Sequence, residues 1–152
     1  MLNLEIPGLS VSLMQAMVVA SESCTNKIDE EGGLILKRNE DCCFVKVENK
    51  YAGTGIAGGL YETEMQSLSK NVFPLLKEGW QMFASFHTHP MFSASPSSID
   101  MTKLFLGFKY NVIFAPVNDV QPNMFSITIW ENDKPYKYYI NKHKILELIS
   151  SL

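Results

Sequence analysis

Residues 80 to 90, WQMFASFHTHP, restrict the fold more than any other stretch of the chain. Apolar and polar side chains alternate along it, the period of a β-strand with two unlike faces. Pro90 then removes a ladder donor and ends the strand. Alternation puts Trp80, Met82, Ala84, Phe86 and Thr88 on one face and Gln81, Phe83, Ser85, His87 and His89 on the other. His87 and His89 therefore leave the strand end in the same direction, roughly 6.7 Å apart along the strand. Two imidazoles held that way can both approach one metal ion at bond lengths of about 2.0–2.1 Å.

The sequence around this strand predicts what covers it. Val11, Met14, Met17 and Val18 recur at helical spacing, which suits a helix beginning near Ser10. GGLILKR and CCFVKVEN, separated by NED, read as a hairpin. Residues 63 to 77 read as one helix with Met65, Leu68, Val72 and Leu75 on a common face, and Ser97 opens a further helical run, SSIDMTKLFLGF. YNVIFAP, MFSITIWEN and YKYYI read as strands, with DKP a turn between the last two, and KHKILELIS as a final helix. Helices interspersed among strands in this order predict an α/β sandwich with a mostly antiparallel or mixed sheet covered by helices. The expected organisation is one domain over residues 1–152, without repeats or linkers.

Composition limits the partners. A hydrophobic fraction of 46% with 19% charged residues describes a globular chain. A formal net charge of −3 provides no basic footprint for nucleic acid and no attraction to anionic membranes. The apolar run VSLMQAMVVA is interrupted by Gln15 and preceded by no Lys or Arg, unlike a signal peptide, and no run approaches a spanning length. Cys24, Cys42 and Cys43 lack C-x-x-C spacing and read as free thiols in a reducing compartment. A cytoplasmic location is the expectation.

One motif has an alternative reading that the residues themselves weaken. Gly53, Gly55 and Gly58 reproduce the G-x-G-x-x-G spacing of a dinucleotide-binding turn, with Glu78 at the distance of a ribose-binding acid. Glu78 lies in KEGW, a turn before the next strand rather than a strand end, and the chain is short for a doubly wound sheet. The glycines are then a flexible loop using positive φ angles.

Beyond Pro90 the loop returns at Ser97-Ser98-Ile99-Asp100. A Ser-x-x-acid run before an apolar segment is a capping signature and puts Asp100 in a first helical turn. Either these are ordinary histidines and an ordinary cap, or His87, His89 and Asp100 are three ligands with a fourth position left for water, the arrangement of a catalytic zinc site. Met91 and Phe92, beside these residues, either pack against a substrate tail or anchor the loop to the core. His143, in a Lys-rich terminal helix, reads as solvated.

His87-Thr88-His89-Pro90, six residues, Ser97, two residues and Asp100 match every position of the H-x-H-P-x6-S-x2-D signature, and the chain resembles the JAMM metalloproteases of the JAB/MPN superfamily, including their bacterial deubiquitinase-like members. An upstream run, Glu30-Glu31-Gly32-Gly33-Leu34-Ile35-Leu36, resembles the family's E-x-G-G segment, although Lys37 stands where many relatives have another glycine. The resemblance implies a cytidine-deaminase-like α/β fold and one catalytic Zn2+ held by His87, His89 and Asp100. It implies Glu30 as general base and then acid, with Glu31 as fallback and Glu22 a distant third, and Ser97 as hydrogen-bond donor to the tetrahedral oxyanion. A zinc deaminase is disfavoured because its H-x-E and P-C-x-x-C elements are missing, and Cys24 is not needed as a nucleophile.

The activity implied is a peptidase or isopeptidase cutting after the C-terminal tail of a ubiquitin-like protein or its conjugate, with an activating or conjugating enzyme system as a further associate. Two alternatives share the resemblance: release of a small amino acid from a sulfur-carrier protein, and a non-catalytic MPN scaffold subunit. The short run between Asp100 and the next strand makes the chain similar to a minimal catalytic core.

Overall fold

The computed structural model describes residues 6–102, 108–117 and 121–152. Helix α1 (Val11–Ser23) is capped by Ser10, whose hydroxyl accepts from Leu13 N. It is followed by the hairpin β1 (Gly32–Arg38) and β2 (Asp41–Val47), then α2 (Met65–Asn71), α3 (Phe73–Lys77) and β3 (Gln81–Thr88). A short helix, α4 (Ser98–Thr102), precedes β4 (Tyr110–Ala115), β5 (Met124–Glu131), β6 (Lys134–Asn141) and α5 (Lys142–Ser150). The helical run expected from Ser97 to Phe108 is described only as α4; residues 103–107 lie outside the described residues.

The strands form one six-stranded sheet in the order β2-β1-β3-β4-β5-β6. β3 and β4 are parallel and every other neighbouring pair is antiparallel. This is the mixed α/β arrangement expected from the sequence. Two hairpin connections span two residues each, Asn39-Glu40 between β1 and β2 and Asn132-Asp133 between β5 and β6, the latter with φ angles of 52° and 61°. Strand β6 therefore begins at Lys134, inside the segment read as a DKP turn.

Two apolar layers sandwich the sheet. Met14, Met17 and Ala20 of α1 and Ile145 of α5 pack with Ile35, Phe86, Val112, Phe125 and Ile127 on one face. Each of the large side chains fully buried there stabilises the fold by about 1.5–3 kcal/mol. On the other face Leu34, Leu36 and Val47 pack with Val72, Leu68, Leu75 and Trp80. The helix expected over residues 63–77 is broken at Val72, where Pro74 starts a new helix and cannot donate to the old one. Met65 is exposed and outside that face.

The alternation of β3 holds from Ala84 to Thr88 and fails before it. The pairing with β1 jumps from Ile35↔Ala84 to Leu36↔Met82, leaving Phe83 as an extra residue. Phe83 joins Ala84 and Phe86 on the α1 side and packs on Tyr110 at 5.0 Å between ring centroids, while Trp80 joins the opposite layer. The bulge lies upstream of the histidines, so their common face is kept. Among the described residues no helix is long and apolar enough to cross a membrane.

Candidate metal centre

The end of β3 carries the two histidines to the edge of the sheet. His89 N donates to Phe114 O at 2.9 Å, so pairing with β4 continues one residue past the strand and fixes the second imidazole. The Nε2 atoms of His87 and His89 lie 3.3 Å apart. Asp100 meets both: Oδ1 is 3.2 Å from His87 Nε2 and Oδ2 is 3.2 Å from His89 Nε2.

Local capping explains why Asp100 sits there. Ser97 Oγ accepts from Asp100 N at 3.1 Å, and Asp100 Oδ2 accepts from Ser97 N at 2.9 Å. These reciprocal bonds form a capping box that orients the carboxylate toward the imidazoles. Ser97 is exposed, and its hydroxyl proton remains available to donate. Burial alone would raise the Asp100 pKa, but hydrogen bonds from His87 and His89 outweigh it and hold the carboxyl well below its usual range. Burial would likewise lower the His89 pKa, and its bonds to Asp100 and the Ser93 carbonyl raise it instead.

Glu30 reaches the same point from just ahead of β1, whose first residue Gly32 pairs with His87. It is 3% exposed, with Oε1 3.9 Å from His87 Nε2. Its backbone is held on both sides: Glu30 N donates to Ala57 O at 2.6 Å, and Asn49 Nδ2 donates to Glu30 O at 3.0 Å. The next residue is tied to the histidine strand, because Thr88 N donates to Glu31 O at 2.8 Å and Glu31 N donates to Thr88 Oγ1 at 3.0 Å. The Glu31 carboxylate turns elsewhere, to Lys46 Nζ at 2.8 Å and Asn26 N at 2.8 Å. Glu22 lies exposed on α1. Of the three candidate glutamates, Glu30 is the one at the histidines.

Glycine makes this approach possible. A Cβ on Gly32 would collide with Phe86 O and stand 2.9 Å from His87 Cα; one on Gly33 would collide with Val45 O. Side chains here would push β1 away from the strands on both sides and take Glu30 with it.

Glu30, His87 and His89 offer ligand atoms within 4.8 Å of one another, a group that can hold a metal ion. A second set, His87, His89 and Asp100, shares both imidazoles and is tighter, with contacts of 3.2–3.3 Å against 3.9 Å for Glu30 to His87. His89 Nδ1 donates to Ser93 O at 2.8 Å, which in the neutral ring leaves the Nε2 lone pair directed at the shared centre. Tyr61 stacks on His87, 5.9 Å between centroids and 5° between planes, and so fixes the other ring.

Asn49, Tyr61, Thr88 and the Ser93 carbonyl were not singled out by sequence reasoning. The capping and strand patterns point at ligands, whereas these residues act through tertiary contacts with no spacing of their own. Met91 and Phe92 are 67% and 56% exposed, so neither anchors the loop. That anchor is Ala94, buried with Ala115 and Met124. Burial pushes the Cys24 thiol up to about 12, which removes it as a nucleophile. His143 is exposed on α5 beside Glu147.

Strand-end imidazoles, a helix-borne carboxylate and a buried glutamate on a mixed sheet define an α/β domain with a metal-binding constellation. The family model described as prokaryotic homologs of the JAB domain matches residues 10–132, and the chain belongs to that family. A solution structure, that of protein DSY2949 from Desulfitobacterium hafniense, is similar in fold, with a TM-score of 0.56 and 18% identity over 82% of this chain and 84% of that one. No curated protein matches the chain.

Proposed function

We propose that the protein is a zinc-dependent peptidase or isopeptidase that hydrolyses the bond after the C-terminal tail of a ubiquitin-like protein. The observation that carries this reading is the convergence of His87, His89 and Asp100 at 3.2–3.3 Å with the buried Glu30 beside them. Tetrahedral bonds of about 2.0–2.1 Å place ligand atoms roughly 3.3 Å from one another, so the 3.3 Å between the two Nε2 atoms suits one zinc ion, with an Asp100 carboxylate oxygen beside each imidazole to supply the third bond. The two imidazoles and one carboxylate are also a donor set that zinc favours, with a position left over for water.

His87, His89 and Asp100 would hold the ion, which when bound polarises the scissile carbonyl and acidifies water. Glu30 takes a proton from the attacking water onto its carboxylate as the water oxygen bonds to the carbonyl carbon. It returns that proton to the amine nitrogen as the C–N bond breaks, acting first as base and then as acid. Ser97 donates a hydrogen bond from its hydroxyl to the carbonyl oxygen as that oxygen gains charge, and keeps its own proton. Met91 and Phe92, exposed beside the ligands, supply apolar surface for the substrate tail.

The substrate class rests on the signature's resemblance, and its test is direct. The protein, loaded with zinc, is incubated with linear and isopeptide-linked ubiquitin-like fusions; cleavage after the tail that a chelator abolishes is the expected result. Intact fusions at every zinc loading would sink the proposal. A Glu30→Ala variant that keeps partner binding and biological effect would favour a scaffold role instead.

A further inference from the structure

A cavity of about 240 Å³ opens beside the imidazoles on the same face of the sheet. Strand register sets Leu34, Ser85, Asn111 and Thr128 side by side across β1, β3, β4 and β5, and all of them line it. His87 and Asp100 form its end toward the metal centre, and Phe108 and Ile113 add to its apolar wall.

The floor is polar and only partly satisfied. Ser85 Oγ donates to Asn111 Oδ1 at 2.7 Å, and Asn111 Nδ2 donates to Phe108 O at 3.1 Å. Thr128 is 1% exposed, yet its Oγ1 has no hydrogen-bond partner among the described residues. A buried hydroxyl without a partner is costly, and valine would fill the same volume without that cost. Ser126 Oγ, two residues away on the same face, is also unpartnered but does not line the cavity.

We infer that this cavity recognises one neutral side chain with an apolar body and a hydrogen-bonding tip, belonging to a residue next to the bond attacked at the metal centre, and that Thr128 Oγ1 reads the tip. The volume admits a single side chain rather than a chain segment. The apolar wall takes the body, and burying a charged tip there would be opposed by desolvation. A site built to hydrogen-bond a polar group discriminates against the analogue that lacks it, because its own group is then left unpaired. The assignment to a substrate residue rests on the hydrolase reading above; the pocket's chemistry does not.

The test is binding, measured by NMR titration of the metal-free protein with N-acetyl amino-acid amides in matched pairs: tyrosine against phenylalanine, glutamine against methionine, threonine against valine. The polar member of at least one pair is expected to bind about tenfold more tightly, with shifts at Thr128 and Ser85, and Thr128→Val should bring that ratio to about one. Ser126→Ala should leave it unchanged. Equal affinities within every pair, no binding at all, or equal loss of preference in T128V and S126A would overturn the pocket. Should T128V not fold, Ser85→Ala replaces it and must lower the ratio. Selective binding without cleavage of any fusion would refute the hydrolase reading and leave the pocket standing; cleavage without selective binding would do the reverse.

Discussion

Two glycine groups at the same end of the sequence behave in opposite ways. Gly32 and Gly33 are wedged between strands, where any side chain would strike Phe86 O or Val45 O. Gly53 and Gly55 face open space and are needed for their φ angles of 78° and 82°. The second group has the more familiar spacing, that of a nucleotide-binding turn, yet nine residues separate Gly55 from the start of α2, and no helix opens at the glycines. Glycine at a ligand site is informative when something touches the missing Cβ. Here that something is the strand bearing His87.

The largest effect in this comparison is expected from Gly33→Ala or Gly32→Ala. Overpacking between paired strands typically costs about 1–3 kcal/mol, and it moves Glu30 as well. Thermal unfolding should show a clearly lowered Tm, and zinc titration a weakened site. A variant with wild-type Tm and metal affinity would mean that the wedge is not what positions the site.

Next in size is Asn49→Ala. Its amide donates to both Glu30 O and Leu60 O, so it joins the strand side of the comparison to the loop side. Leaving those carbonyls unpaired should cost about 1–3 kcal/mol. Turnover should fall while zinc content stays near wild type, since no metal ligand is touched. Loss of zinc in this variant would show that the loop supports the ligands directly.

Gly53→Ala and Gly55→Ala mark the small end. A left-handed backbone costs a non-glycine residue about 1–2 kcal/mol, in a loop without close neighbours at either site. Tm should drop slightly, with zinc binding and turnover retained. Smaller still is the effect expected on activity from Cys24→Ala, because the raised thiol pKa leaves almost no thiolate at neutral pH. Iodoacetamide should accordingly spare Cys24 in the folded protein; rapid alkylation there would contradict its burial.

Much of this is legible in the sequence. The strand period placed His87 and His89 on one face, the Ser97-x-x-Asp100 cap put the carboxylate on a helix start, and the resemblance put Glu30 ahead of Glu31. Helix α5 begins and ends where its pattern does. The misses have physical causes. Periodicity cannot announce a bulge, so Phe83 and Trp80 were put on the wrong faces. A run of helical spacing does not show that Pro74 starts a second helix. Asn49 and Tyr61 reach the site through contacts that exist only once the sheet is assembled, and a polar floor such as Thr128 shows itself only through register.

The central claim is a division of labour: His87, His89 and Asp100 hold one zinc ion and Glu30 moves the proton. Elemental analysis of the purified protein alongside Glu30→Gln and Asp100→Ala, with fusion cleavage measured on the same samples, tests it most directly. The account predicts about one zinc per chain in the wild type and in E30Q, little in D100A, and cleavage in E30Q reduced by about 10²–10⁴-fold. A wild type without zinc, or an E30Q variant that loses its metal while D100A keeps it, would contradict it.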